Sequence, residues 1–494
     1  MKRRQVGYTD LVRVSQPRIV QVVDRRLGRA ITGAVVAHHR RRLARIGWSQ
    51  ALDGGVDGAS QRGTPSRRGS LEVLVDGAEA LPRIAKELEG ARSHVHLAGW
   101  HVEPGFALTR GSAPTVLRNL LSRLAERIDV RVLTWAGAPL PLFRPSRGEV
   151  QRLRESACGG TRIRWALDAK ERPLHCHHEK TIVIDDRVAF VGGIDLTAES
   201  GDRFDGNAHV SRADVGWHDV AARLTGPVVA DVAEHFRMRW REVTGETLPA
   251  VASGDDAAES MIRIVRTVPE HIYDAVPLGE FGILEAYAQA LSGAQELVYL
   301  ESQFLWSPEI AAILQEKLRR PPRDRFRLLV VLPSKPSTGA DDTRGVLAEL
   351  VEADDGRGRF LACTLYAREG PFADPIYVHA KVGIVDDRWL TIGSANLNDH
   401  SLFNDTEVNL VTDDRRLATE TRQRLWAEHL ELPLAEVSGD PTSIIDERWK
   451  PTAAEQLDRL TAGAPLTHRL VRLPHVSRVS ERLLGPLQGL LVDG

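Results

Sequence analysis

The 494-residue sequence predicts an α/β protein built from two similar halves that share one site. Length supplies the first observation, since a chain this long exceeds one ordinary core and splits into at least two. The second is an alternation of strand and helix signals that runs from Leu71, stops at the small acidic stretch Val251–Ser260, and restarts at Met261. The third is self-similarity between those two blocks at a spacing near 200 residues.

Residues 1–48 come first, and read as a basic helical segment. Twelve Arg or Lys against Asp10 and Asp24 give it +10, within a chain of net charge −2, so the remainder carries −12. Such asymmetry fits an anionic surface as partner, or simply a solvated helix, since only eight of the 65 basic residues are Lys. Residues 49–70 are rich in Gly, Ser, Pro and Arg and read as a flexible linker. The halves are placed at 71–250 and 261–435, joined by a second linker at 251–260. A helical, proline-punctuated tail occupies 436–494. No apolar run reaches the roughly 18–20 residues that span a bilayer, and no apolar stretch follows Lys2-Arg3-Arg4 as in a secretory signal. Three cysteines cannot build a disulfide framework. These features place the chain in the cytoplasm, as a soluble protein or peripheral at the inner face of the membrane.

Three segments match between the halves. Gly90-Ala91 through Leu97 parallels Gly293-Ala294 through Leu300 at an offset of 203 residues, and Val130–Leu133 parallels Leu328–Val331 at 198. The third carries chemistry: His178-x-Lys180-x4-Asp185 parallels His379-x-Lys381-x4-Asp386 at 201, and small residues follow in Gly192-Gly193-Ile194-Asp195 and Gly393-Ser394-Ala395-Asn396. Chance supplies roughly 0.02 copies of the His-x-Lys-x4-Asp pattern in such a chain, so two copies in register with an independent repeat are not coincidence.

Side chains at i and i+2 of an extended segment share a face, so each His projects beside its Lys. An ammonium neutralises oxygen charge while an imidazole attacks or exchanges a proton near neutral pH, which suits an anion with a reacting centre. Asp185 and Asp386 complete each motif, but seven residues on they suit a structural role better than a direct one. The small residues after each strand let backbone N–H groups come close to an anion.

These paired motifs resemble the HKD motifs of the phospholipase D superfamily, and the likeness extends to Trp217-His218-Asp219, Leu224-Thr225-Gly226-Pro227, Glu301-Ser302-Gln303 and Asn396–Ser401. His400 stands where Arg is commoner and Ser302 where Asn is usual; the resemblance covers roughly residues 71–435 and points to the phosphatidylcholine-type phospholipases D. It implies two α-β-α sandwich halves, with His178 and His379 facing one another within about 6 Å, the span one phosphoryl group needs. It also implies a ping-pong displacement in which His178 attacks phosphorus and His379 serves as acid and base. Lys180, Lys381, Ser394 and Asn396, with Gly193 and Asp195 at the matching positions of the first half, would bind the substrate phosphate. Asp219 would orient His178, and Glu407 would orient His379. No metal or other cofactor is implied.

His175-Cys176-His177-His178 offers zinc-type ligands, but only His178 has a counterpart in the second half, which argues against a metal centre. The expected substrate is a glycerophospholipid, hydrolysed or transphosphatidylated. A cardiolipin-synthase-like phosphatidyl transferase is the alternative, and a nuclease is third. Nucleic acid is an improbable partner for a body of charge −12. Oligomeric state is not readable from the sequence.

Overall fold

The computed structural model describes residues 18–52, 64–139, 144–212, 214–250, 259–335 and 340–473. The first half contains strands β1 (Arg67–Val75), β2 (His94–Gly99), β3 (Asp129–Trp135), β4 (Arg164–Asp168), β5 (Thr181–Ile184), β6 (Val188–Gly192) and β7 (Val220–Thr225). The second repeats them as β8 (Ser260–Val268), β9 (Leu297–Glu301), β10 (Arg327–Val331), β11 (Phe360–Glu369), β12 (Val382–Val385), β13 (Trp389–Gly393) and β14 (Glu407–Thr412). The first sheet runs β1-β7-β6-β5-β2-β3-β4, with parallel pairing only within β2-β3-β4. The second runs β8-β14-β13-β12-β9-β10-β11 with the same senses. Each strand of one half thus has its counterpart seven strands later.

The helices repeat as well. After α1 (Arg18–Ile46), the first half carries α2 (Asp76–Glu89), α3 (Leu117–Ala125), α4 (Arg147–Cys158) and α5 (Val229–Thr244). They follow β1, β2, β3 and β7. In the second half α6 (Gly282–Gly293), α7 (Pro308–Arg319), α8 (Ala340–Asp354) and α9 (Arg415–His429) follow β8, β9, β10 and β14. Parallel strands need such helical crossovers, and helices on the sheet faces explain the near-continuous apolar runs of the central strands.

Each half keeps an outer core under its own helices, such as Leu81, Leu88, Leu97 and Leu121 in the first. A third apolar cluster mixes residues of both sheets, among them Val183, Val191 and Val220 with Ile264, Ile384 and Val408. The backbone joins the halves too: β1 pairs with β7 over Ser70–Val75 and with β8 at Arg67–Gly69. This strand starts inside the segment read as linker; residues 53–63 of that linker, and 251–258 of the next, lie outside the described residues. The tail is partly built in, since Leu470–Arg472 adds an antiparallel strand beside β11.

The basic segment is docked at its C-terminal end. Arg42 grips Glu270 with two parallel bonds of 2.8 and 2.7 Å and also donates to the carbonyl of Phe403, while His39 meets Glu309 at 2.8 Å. Leu43, Ile46 and Trp48 are buried beside them. Glu270 is buried, so removing its main partner strands a carboxylate, although Arg172 still reaches it at 3.4 Å. Arg42→Ala should therefore destabilise the fold by about 2–3 kcal/mol, read as a lower urea midpoint at unchanged slope. None of the described helices is long and apolar enough to cross a membrane.

Candidate active site

The duplicated motif enters β5 and β12 from the side where the halves meet. His178 sits three residues before β5 and His379 three before β12, and both are buried. The short strand Tyr377–Val378 pairs in parallel with Trp217–His218 of the other half. Correspondingly, the His379 N–H donates to the carbonyl of His218 at 2.8 Å, and that of His178 to the carbonyl of Thr406 at 2.9 Å. Each histidine-bearing loop is thus laid against the opposite half.

Side chains cross over in the same way. His178 Nδ1 meets Glu407 Oε1 at 2.9 Å, and His379 Nδ1 meets Asp219 Oδ2 at 2.6 Å. The expected pairing of Asp219 with His178 and of Glu407 with His379 is therefore corrected: each carboxylate serves the histidine of the other half. A carboxylate on Nδ1 fixes the tautomer and leaves Nε2 outside that bond. Ser394 and Ser401 hydroxyls donate to Glu407. The N–H of Val220 donates to Asp219 at 2.8 Å.

Both ammonium groups stand beside their histidines. Lys180 Nζ donates to the His178 carbonyl at 2.7 Å and lies 3.5 Å from Asp195. Lys381 Nζ donates to the His379 carbonyl and, at 3.4 Å, to Gln303 Oε1, which also takes a bond from Asn396. Gln303 is thereby brought to the site from the end of β9, whereas Glu301 is locked beneath it between His218 and His429.

Crowding of positive charge shapes the electrostatics. Burial, then the charges of Lys381, Lys180, Arg203 and His178, hold His379 well below its usual value. Burial also brings Lys381 down to about 7 and pushes Asp219 up to about 6, each against the pull of the other's charge. An anion among these groups would relieve that crowding.

Asp185 and Asp386 take the structural role their spacing suits, while the expectations for Gly193 and Ser394 change. Asp185 and Asp386 lie beyond the far ends of β5 and β12, away from the histidines. Asp185 accepts the N–H groups of Arg92, Ser93 and His94, and Asp386 those of Gln295, Glu296 and Leu297. Each occupies a tight hairpin turn at positive φ, 56° and 54°, which Asp tolerates. They staple sheets and do not touch the reacting region. Gly193 does not offer its N–H to an anion, because that group donates to Val220 O at 3.1 Å. Its lack of a side chain instead makes room for Asp219, whose Oδ1 would lie 2.1 Å from an added Cβ. Ser394 likewise spends its N–H on Val408 O and its hydroxyl on Glu407.

The run His175–His178 does not converge on one point. His175 meets His400, His177 is held by Thr406 and Asp168, and His178 by Glu407. Sequence reasoning missed Trp217 and Tyr377, whose rings lie 4.5 and 6.3 Å from that of His379, and Arg203, which covers Trp217. A buried tryptophan reads as ordinary core in a sequence, and nothing local marks it as a site wall.

Residues 287–428 match a family model described as cardiolipin synthase, PLD-like domain. Phospholipase D A of Dictyostelium discoideum is 26% identical over 462 residues, which take in 74% of this chain but only 36% of that protein. The major cardiolipin synthase ClsA of Bacillus subtilis is 23% identical over 398 residues, covering 74% of this chain and 72% of that one. Among solved structures, phosphatidylserine synthase of Haemophilus influenzae Rd KW20 aligns over 81% of this chain and 96% of its own, with a TM-score of 0.50 at 13% identity, which is a likeness of fold.

Proposed function

We propose that this chain, which belongs to the phospholipase D superfamily, is a phosphodiesterase that cleaves glycerophospholipids through a phosphohistidine intermediate. The observation that carries the proposal is the crossed pair of buried dyads, His178–Glu407 and His379–Asp219, with a lysine beside each. Two such dyads supply one nucleophile and one proton carrier on either side of a single phosphoryl group.

In the first step His178 Nε2 attacks phosphorus and the phosphorus–headgroup oxygen bond breaks. His379 Nε2–H gives its proton to the departing alcohol. In the second, neutral His379 takes a proton from water or an acceptor alcohol, whose oxygen attacks phosphorus and returns the electron pair to His178. Lys180 and Lys381 stabilise the equatorial charge throughout, with no reorganisation at the moment of reaction. Because burial and then the surrounding cations disfavour protonated His379, the entering phosphodiester is what allows it to be protonated.

The matched cardiolipin synthase domain supports a second reading, phosphatidyl transfer to a lipid alcohol. One assay separates the two. The purified protein is incubated with phosphatidylglycerol, phosphatidylserine and phosphatidylcholine, with and without a primary alcohol, and the products are read by mass. Phosphatidic acid, or the phosphatidyl ester of the added alcohol, is the expected product. Cardiolipin and free glycerol from phosphatidylglycerol alone would identify the transferase, and no turnover of any lipid would dismiss both. Residues 1–48, apart from the docked His39, Arg42, Leu43, Ile46 and Trp48, are the proposed contact with an anionic bilayer surface.

A further inference from the structure

Arg203 lies in the loop between β6 and β7 and is 5% exposed. Its guanidinium carbon sits 3.1 Å from the centre of the Trp217 ring. Nε and Nη1 are both buried, and neither has a hydrogen-bond acceptor among the described residues. Burying a guanidinium without acceptors is costly, since its donors lose water and gain nothing. Burial brings Arg203 down to about 10, against the opposing pull of Asp195 and Asp219. Those carboxylates are committed elsewhere, Asp195 beside Lys180 and Asp219 on His379.

The residue is not free to swing away. An added Cβ on Gly77, at the start of α2, would fall 1.7 Å from the Arg203 carbonyl oxygen, so helix and loop are pressed together there. The side chain is a pre-placed cation with unused donors. Its location is specific: Trp217, whose ring it covers, lies 4.5 Å from the His379 ring and 4.7 Å from that of Tyr377. If His379 protonates the departing alcohol, the headgroup leaves on this side of the pocket.

We propose that Arg203, with Trp217 and Tyr377, forms the headgroup subsite and selects headgroups that carry oxygen acceptors, such as hydroxyls or a carboxylate, over choline. The inference rests on the phosphodiesterase reading above. A quaternary ammonium is recognised by open aromatic faces. Here Arg203 occupies a face of Trp217 and repels a second cation, while its free N–H groups bond to oxygen. A charge-assisted hydrogen bond of this kind is worth roughly tenfold or more in discrimination.

The test compares kcat/KM of the wild-type protein and of Arg203→Met and Arg203→Lys on three lipids of equal acyl composition. Phosphatidylglycerol, phosphatidylserine and phosphatidylcholine are each presented dilute in neutral detergent micelles, with bis(p-nitrophenyl) phosphate as a substrate lacking any natural headgroup. The wild type should favour phosphatidylglycerol and phosphatidylserine over phosphatidylcholine by about tenfold or more. Arg203→Met should lose that preference, its kcat/KM falling about tenfold further on phosphatidylglycerol and phosphatidylserine than on phosphatidylcholine or the nitrophenyl ester, and Arg203→Lys should keep part of it. A wild type that prefers phosphatidylcholine overturns the inference, as does an equal loss on all four substrates in Arg203→Met, which would place Arg203 on the scissile phosphate. If Arg203→Met fails to fold, the wild-type preference and Arg203→Lys decide. A wild type inert toward every phosphodiester would sink the functional reading itself.

Discussion

Replacing His178 with alanine should abolish both lipid turnover and the covalent intermediate, a loss of at least about 10⁴-fold, comparable to removal of the nucleophile from a catalytic triad. Replacing His379 should look different. With a natural headgroup the departing alkoxide is a poor leaving group and needs a proton, so turnover falls by a similar factor. With p-nitrophenol as leaving group no proton is needed, and His379→Ala should still form the intermediate and accumulate it, because the second step lacks its base. The lowered pKa of His379 adds a pH signature. Its folded pKa lies below the usual value, and a bound anion raises it. Binding of an inert phosphate analogue should therefore take up a proton and tighten as pH falls through the interval between the free and bound pKa values. Calorimetry in buffers of different ionisation enthalpy reads that proton directly.

The crossed dyads predict a second pair of large and unequal effects. Glu407→Gln should behave as a defect of His178, slowing the first step for nitrophenyl and natural leaving groups alike. Asp219→Asn should behave as a defect of His379, sparing nitrophenol release and slowing the rest. Losing a carboxylate that fixes the tautomer of a catalytic histidine costs up to about 10⁴-fold in kcat. Single-turnover kinetics with the two leaving groups separates the two variants. If Asp219→Asn slows nitrophenol release while Glu407→Gln does not, the carboxylates act on their own halves, contrary to the contacts at 2.9 and 2.6 Å.

The duplication was legible in the sequence because it rests on local signals. The His-x-Lys alternation and the β-branched run that follows define one strand with one face, whatever the rest of the chain does. The same logic favours a structural role for Asp185 and Asp386, which three backbone N–H bonds to each explain. Partner choice was not legible. Whether Asp219 faces His178 or His379 depends on the parallel pairing of Trp217–His218 with Tyr377–Val378, a contact across about 160 residues that no local pattern encodes. Gly193 was read as open backbone for an anion, and only the tertiary structure shows its N–H in use and Asp219 against its Cα. Arg203 was invisible for a related reason: an arginine in a loop reads as surface charge until the structure buries it on Trp217.

The measurement closest to the central claim is the site of the covalent intermediate. Wild-type protein mixed with a phospholipid and quenched within milliseconds, without acid, can be digested and mapped by mass spectrometry. The account predicts a phosphatidyl group on the peptide carrying His178, present at early quench times, diminished when a primary alcohol is included before the quench, and absent from His178→Ala. A modified peptide carrying His379 would reverse the roles of the two dyads. Full turnover with neither histidine ever modified would contradict the two-step mechanism.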